Sequence, residues 1–194
     1  MFGMFIATML WLTSVQAAEP IELSIGPQYS SYRLYMNDYG SLENWNLGGE
    51  VGIQNVIPHI GLKLRGTKVR FYTPIEDSSY EYMPITLCTS FDLIPFLKLS
   101  WLRLSAETGL GLYNWRGYWI DDVVVLPGGE LMEEWDIGFV VGFTLQLRPV
   151  KYLGIEYAMR YNYIASADIY KYGFYDKDDK IWENGFGVKF ILPL

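Results

Sequence analysis

The sequence predicts an all-β protein, an eight-stranded antiparallel up-and-down β-barrel whose strands cross a membrane. The longest regular stretch, residues 135–148, alternates large apolar side chains with small or polar ones. Alternation with period two indicates a strand whose two faces meet different surroundings. The stretch is also longer than the roughly 9–11 tilted residues that a strand needs to cross a bilayer. The order of short and long connections, given below, supports the same fold class.

The composition excludes several other classes of protein. The chain has 194 residues, which favours a single domain, and no run of eighteen apolar residues follows its N-terminal stretch. A helical membrane protein is therefore not expected. The net charge of −7 and the lack of a Lys/Arg-rich run argue against a nucleic-acid partner. The single Cys88 offers neither an internal disulfide nor metal-site spacing.

Residues 1–17 are interpreted as a cleaved signal peptide. Phe2–Leu12 is apolar but too short to span a bilayer, and small residues at Val15 and Ala17 precede the expected cut. The segment lacks the usual Lys or Arg near its start. An N-terminal membrane anchor is the alternative. With the signal removed, the predicted membrane β-barrel domain comprises residues 18–194.

The first four strands follow from alternating parity in residues 21–35, 45–54, 60–71 and 82–92. We expect Gly66-Thr67 to form a bulge that returns Val69 and Phe71 to the outer face. Pro84 cannot donate to a ladder, so it predicts a strand end.

The last four strands are predicted in residues 102–113, 135–148, 153–163 and 183–194. Residues 97–101 have the opposite parity to residues 102–112, which indicates a bulge or a longer turn near Ser100.

The connections alternate in length along the chain. Short ones carry Pro58, Pro95 and Pro149, whereas long polar ones lie near Asn37, Asp77, Gly128 and Asp178. Short turns at one end and long loops at the other are typical of transmembrane barrels. With eight strands, both termini lie on the short-turn side and the long loops face outside.

In this architecture the chain resembles the small eight-stranded bacterial outer-membrane β-barrel proteins of the OmpA/OmpX kind, within the porin-like superfamily. Such proteins end in alternating hydrophobic residues that the outer-membrane assembly machinery reads. The matching positions are Phe186, Val188, Phe190, Leu192 and Leu194, with Leu in place of the usual terminal Phe. The resemblance implies a location in the outer membrane of a Gram-negative cell envelope, with the termini in the periplasm. It also implies outer-membrane lipid and lipopolysaccharide as surroundings, and a monomer.

Aromatic residues cluster near the loop ends of the predicted strands, where a girdle would meet lipid headgroups. The expected girdle consists of Trp45, Tyr72, Tyr80, Tyr82, Trp115, Trp135, Tyr163 and Trp182. The alternative is that aromatic residues simply favour strands.

The inward parity of the strands carries many charges. They are Glu22, Glu50, Lys63, Arg65, Arg103, Glu107, Glu156, Arg160, Glu183 and Lys189. An eight-stranded barrel is just wide enough inside for side chains to fill it, and unpaired charges there are costly. We therefore expect a salt-bridged network that fills the lumen. A polar conduit is the alternative.

No catalytic, metal or cofactor site is expected. His59 is the only histidine and lies in a short turn, so no nucleophile with a histidine base can be assembled at the loop end. Asp121 and Asp122 have no partner base, and residues 176–179 lack the Gly and distant Glu of a calcium loop. These acids are interpreted as solvated loop charges.

The predicted function is thus a non-enzymatic outer-membrane barrel with a structural or surface-interaction role. A porin-like narrow channel for small solutes is the first alternative. A secreted lipocalin-like soluble barrel is the second, but such barrels place apolar side chains inside and polar ones outside.

Overall fold

The computed structural model describes residues 20–36, 40–97, 99–166 and 178–194. This part of the chain is almost entirely β-strand, with a single turn of 3-10 helix at Pro95–Leu97. Within it, no helix has the length and hydropathy needed to cross a membrane. The strands are β1 (Glu22–Met36), β2 (Gly40–Ile57), β3 (Ile60–Gly66), β4 (Val69–Tyr72), β5 (Ser78–Asp92), β6 (Leu102–Trp119), β7 (Asp122–Val123), β8 (Glu133–Val150), β9 (Leu153–Ala165) and β10 (Asp178–Pro193).

The strands close into an antiparallel ring. The order around the ring is β1, β2, β3 with β4, β5, β6, β8, β9 and β10, and β10 pairs with β1 to close it. Because β3 and β4 are two parts of one strand and β7 is a short arm of β6, the ring has eight strands. The predicted eight-stranded up-and-down topology is confirmed.

The two faces of the wall differ as the alternation predicts. On β8 the side chains of Trp135, Phe139 and Phe143 are exposed on the outside, whereas those of Val140 and Thr144, on the other parity, are buried inside. A surface that exposes this many large apolar side chains is suited to lipid rather than to water.

The predicted bulge at Gly66-Thr67 is wrong. Gly66 of β3 pairs with Ile85 and Val69 of β4 pairs with Tyr82, so the register against β5 is unchanged across the break. Val69 and Phe71 therefore keep the inward parity and are fully buried.

The break between β3 and β4 is opposite Pro84, which lies inside β5 rather than at a strand end as predicted. The N–H of Thr67 donates to the carbonyl of Pro84 at 3.2 Å. Proline has no N–H to return the second bond of that pair, so the ladder is interrupted there.

The interior has an apolar layer toward the long-loop end. Its aromatic rings fit because small residues lie beside them: a Cβ at Gly111, two residues before Tyr113 on β6, would lie 2.6 Å from the ring of Tyr113. The layer consists of Tyr32, Leu34, Leu42, Val69, Phe71, Tyr80, Tyr82, Tyr113, Trp115, Met132, Ile164 and Ile181. We expected polar and charged side chains to fill the whole lumen, but apolar side chains fill this end of it.

The connections between strands lie at the two ends of the barrel. Residues 58–59, 93–101 and 151–152 join strands at one end, the second with the longer turn predicted near Ser100. Residues 73–77 and 120–132 join them at the other end. The predicted signal peptide, the loop centred near Asn37 and most of the loop before Asp178 lie outside the described residues.

Candidate functional site

Eight buried charged side chains meet below the apolar layer. Four are carboxylates and four are cations, so the cluster, which we call the central ionic cluster, is balanced in formal charge. Its members are Glu50 on β2, Lys63 and Arg65 on β3, Glu107 on β6, Glu156 and Arg160 on β9, and Glu183 and Lys189 on β10.

Lys63 joins opposite sides of the barrel. Its Nζ lies 2.7 Å from Oε1 of Glu107, 2.9 Å from Oε2 of Glu156 and 3.6 Å from Oε1 of Glu50. It also reaches Oγ1 of Thr144 at 3.5 Å. One ammonium group therefore links side chains from five strands of the ring.

The guanidinium of Arg160 occupies the centre of the cluster. Its Nε donates to Glu107 at 2.7 Å, Nη1 to Glu183 at 3.1 Å and Nη2 to Glu50 at 3.2 Å. The planar fork of Arg lets three carboxylates bind one side chain in fixed directions. Because Arg160 is fully buried, these contacts are shielded from solvent.

The remaining two cations complete the cluster. Lys189 Nζ lies 3.0 Å from Oε1 of Glu50, and Arg65 Nη1 donates to Oε2 of Glu183 at 3.0 Å. Glu183 also accepts from Nε2 of Gln28 at 2.9 Å. Each buried charge thus has an opposite charge within reach, as a confined interior requires.

Arg103 is not part of this cluster, although its parity is the same. Its Nη1 lies 3.4 Å from Oε2 of Glu22 and its Nε 3.6 Å from Oδ2 of Asp92. Arg148 donates to the two oxygens of Glu22 at 2.8 and 2.7 Å. These four residues form a second charge-balanced group at the short-turn end. Sequence parity placed Glu22 inside but did not identify Arg148 as its partner.

A small cavity separates the central ionic cluster from the apolar layer. Its volume is about 20 Å³, which is room for about one water molecule. Arg65 and Glu183 lie below it, and Tyr32, Tyr113 and Ile181 lie above. In the part of the chain that the structure describes, buried side chains of the central ionic cluster and of the apolar layer lie on its two sides.

The predicted aromatic girdle divides into two groups. Trp45, Tyr72, Trp135 and Trp182 are exposed on the outside, Tyr163 is partly exposed, and Trp45 stacks on Tyr29 at 5.3 Å. The other three predicted members are wrong, because Tyr80, Tyr82 and Trp115 point inward and belong to the apolar layer.

A second aromatic band was missed by the sequence reasoning. Phe96, Trp101 and Tyr152 are exposed at the short-turn end, opposite the first girdle. Their positions in turns, beyond the regular parity, concealed them. Girdles at both ends of the apolar wall match the two interfaces of a bilayer.

The terminal hydrophobic residues form one outward stripe on β10 and the residue after it. All five are exposed on the apolar wall: Phe186, Val188, Phe190, Leu192 and Leu194. The backbone N–H of Leu194 donates to the carbonyl of Ile21 at 2.8 Å, next to the start of β1. A stripe at the closing strand is accessible from outside the barrel.

Asp121 lies in a loop, His59 in a turn and Asp179 in a strand. Asp121 pairs with Arg70 at 3.3 Å, and His59 occupies a turn with φ of 67°. The expectation that Asp179 is a solvated loop charge is wrong. Its side chain is buried in β10 and accepts a hydrogen bond from Tyr82. In the described part of the chain no three His, Cys, Asp or Glu side chains are arranged to hold a metal.

Comparison with solved structures gives the same fold. A crystal structure of Neisserial surface protein A matches with a TM-score of 0.65 and 15% identity, over 87% of this chain and 96% of that chain. A major outer membrane protein from Thermus thermophilus matches with a TM-score of 0.59 and 8% identity, over 90% and 100%. Ail, the attachment invasion locus protein of Yersinia pestis, matches with a TM-score of 0.54 and 17% identity, over 89% and 100%.

The fold is that of a small outer-membrane β-barrel. Comparison of the sequence with protein-family models and with curated proteins gives no match. The apolar outer wall and the charged interior of this barrel are the reverse of a lipocalin-like barrel, so the soluble alternative does not fit the structure.

Proposed function

We propose that the protein is an integral outer-membrane barrel with a closed interior, and that it acts through its wall and its external loops rather than by catalysis or conduction. The single observation that carries this proposal is the charge-balanced central ionic cluster. Its side chains bridge strands on opposite sides of the ring, as at Lys63–Glu156, and strands two places apart, as at Arg160–Glu107.

Two further layers support a closed interior. The apolar layer fills the loop end with large side chains such as Phe71 and Trp115. The group of Glu22, Arg103 and Arg148 occupies the short-turn end. A conducting pore needs a continuous wet path. Three successive filled layers argue for the structural role and against the porin-like channel.

The external loop of residues 120–132 supports a surface-interaction role. Val125 and Leu131 are bridged to each other there, with 61% and 51% of their surfaces exposed. Ile120 beside them is also exposed, and its N–H donates to the carbonyl of Asp77 in the neighbouring loop at 2.6 Å. Loops on a rigid scaffold commonly carry binding function. Two structural neighbours are named a surface protein and an attachment invasion locus protein.

Membrane integration is tested by fractionation of cells that express the protein. We expect it to stay in the outer-membrane fraction after carbonate and salt washes and to enter solution with detergent. Release by the washes alone would contradict the proposal.

A further inference from the structure

Three segments in the connections at the long-loop end share one sequence pattern. Each places a large aliphatic side chain directly beside one or two acidic residues, and all of these residues are exposed. This end of the barrel therefore presents apolar and acidic side chains together. The three segments are Ile75-Glu76-Asp77, Ile120-Asp121-Asp122 and Glu130-Leu131.

Backbone contacts bring these segments together. The N–H of Ile120 donates to the carbonyl of Asp77 at 2.6 Å, which joins the first two. Residues 122–132 then fold back beside the second, where β7 pairs with the end of β6 and Val125 is bridged to Leu131. We call the exposed aliphatic side chains and the acids beside them the acid-rimmed face. Its members are Ile75, Ile120, Val125 and Leu131 with Glu76, Asp77, Asp121, Asp122 and Glu130.

The hairpin of residues 124–132 is apolar on both of its faces. On its inner face Met132 is buried in the apolar layer and Val124 packs partly buried against it. On its outer face Val125 and Leu131 are exposed side by side. The outer face is thus an apolar surface that no segment in the described part of the chain covers.

Ile120 occupies a backbone conformation that its side chain disfavours. Its φ is 57°, in the left-handed region, and its two-residue turn joins Trp119 to Asp122. Hairpin turns favour Gly or Asn at such positions, and a β-branched residue there is rare. The side chain gains little from burial in the barrel, because 59% of its surface is exposed. A contact outside this chain accounts for an isoleucine at this turn.

The charge of the acid-rimmed face restricts what can cover it. Its two connections, residues 73–77 and 120–132, contain acids but no Lys or Arg. Asp121 pairs with Arg70 at 3.3 Å, yet its side chain remains 89% exposed. A second copy of the face would bring acids against acids, and an anionic lipid surface would repel it in the same way. Cationic side chains are instead attracted to it.

We propose that the acid-rimmed face docks a cationic amphipathic segment of a partner protein. The proposal rests on the surface-interaction role proposed above and names the chemistry of the partner. Apolar side chains of the segment cover Ile120, Val125 and Leu131, and its Lys or Arg side chains pair with the surrounding acids. Apolar contacts at the centre with polar groups at the rim are the usual anatomy of a protein interface.

The proposal is tested with the whole barrel in nanodiscs of phosphatidylcholine, whose headgroups carry no net charge. The probe is a fluorescent synthetic peptide in which Lys and Leu alternate. Binding is measured by fluorescence anisotropy, and empty nanodiscs correct for binding to lipid. Control peptides have Glu in place of Lys or Ser in place of Leu, and we expect both to bind at least about tenfold more weakly. No binding of the Lys–Leu peptide, or equal binding of the Lys–Ser peptide, would overturn the docking face.

Two double variants locate the binding on this face. Ile120→Ser with Leu131→Ser removes apolar side chains, and Asp122→Asn with Glu130→Gln removes charge. Because all four residues are exposed, the barrel should still fold, which circular dichroism checks. We expect each double variant to bind the Lys–Leu peptide at least about tenfold more weakly than the wild type. Unchanged binding in both would overturn the proposal.

Matched controls change the same residue types elsewhere. Val56→Ser alters an exposed aliphatic residue at the short-turn end, and Glu43→Gln alters an exposed acid on the wall. Both should bind the peptide as the wild type does, and equal losses in the controls would overturn the proposal.

Two further measurements distinguish other occupants of the face. A wild-type dimer in detergent that Leu131→Ser dissociates, seen by analytical ultracentrifugation, would show that a second copy covers the face. Labelling of Ile120 by a lipid that carries a diazirine would show that the bilayer covers it. Either result would overturn the proposal. Release of the protein by carbonate and salt washes would instead contradict the proposed membrane barrel, whereas a barrel that stays in the membrane and binds no peptide overturns the docking face alone.

Discussion

Arg160 on β9 and Glu107 on β6 meet inside the barrel, where Nε of the arginine donates to Oε2 of the glutamate at 2.7 Å and both side chains are fully buried. Strand β8 lies between β6 and β9 in the ring. The ion pair therefore joins strands that share no ladder.

Removal of Arg160 should be strongly destabilising. Arg160→Ala leaves Glu107, Glu50 and Glu183 without their shared cation in a buried site. We expect the free energy of unfolding to fall by about 3–5 kcal/mol, measured by urea unfolding in detergent micelles. A second change, Glu107→Ala, should recover part of the loss because it removes one stranded charge.

The matched control is an arginine on the outside. Arg33 pairs with Glu43 at 2.8 Å, with 49% and 42% of the side chains exposed. Water and salt screen exposed pairs, so Arg33→Ala should change stability little. Equal losses for Arg33→Ala and Arg160→Ala would show that the interior pair is no stronger than a surface one.

Phe71 tests the unbroken register of β3 and β4. Because Phe71 is fully buried in the apolar layer, Phe71→Ala should cost about 3–5 kcal/mol in the same unfolding assay. Its neighbour Tyr72 points outward and is exposed, so Tyr72→Ala should cost much less. A larger loss of stability for Tyr72→Ala than for Phe71→Ala would instead support the predicted bulge at Gly66-Thr67.

Phe139 tests the lipid-facing wall. Phe139→Arg should destabilise the barrel by about 2–4 kcal/mol if the site lies near the bilayer midplane. Thr144→Ser, inside on the same strand, keeps its hydroxyl and should have a small effect. The adjacent Gly138 is not a suitable inward control, because a Cβ there would lie 2.3 Å from the carbonyl oxygen of Tyr163. Comparable losses for Phe139→Arg and Thr144→Ser would contradict a lipid-facing Phe139.

The loops that we propose to be external test the orientation of the barrel. Gly128 and Gly129 are exposed in the connection of residues 120–132, at the end of the barrel that we place outside. Protease added to intact cells should cut near them and leave the turns at Pro58 and Pro149 uncut. Peptide mapping that finds cleavage at those turns instead would invert the orientation.

The sequence predicts the wall of the barrel well because alternation is a local signal. Phe139 outside and Thr144 inside follow from parity on β8 alone, and the strand count follows from the spacing of turns. Parity predicts the wrong face of the wall where a single residue decides whether the register shifts. Gly66-Thr67 has the composition of a bulge, but the missing N–H of Pro84 on another strand interrupts the ladder there without a shift.

The composition of the central ionic cluster is harder to predict. Parity shows that a charge points inward, but not its height along the barrel axis, which depends on the stagger of the strands. Arg103 and Arg160 have the same parity, and only the second reaches Glu107. The prediction of the aromatic girdle is partly wrong for a related reason. A position near a strand end does not tell whether Tyr80 or Trp115 faces lipid or lumen.

Conductance of the wild-type protein tests the closed interior most directly. Planar-bilayer recordings should be made on a preparation whose insertion is verified by brominated-lipid quenching of outward tryptophans such as Trp135. The central ionic cluster and the apolar layer predict that the inserted protein shows no steady conductance. Steady, repeatable conductance steps from the inserted wild-type protein would contradict the closed barrel and favour the porin-like channel.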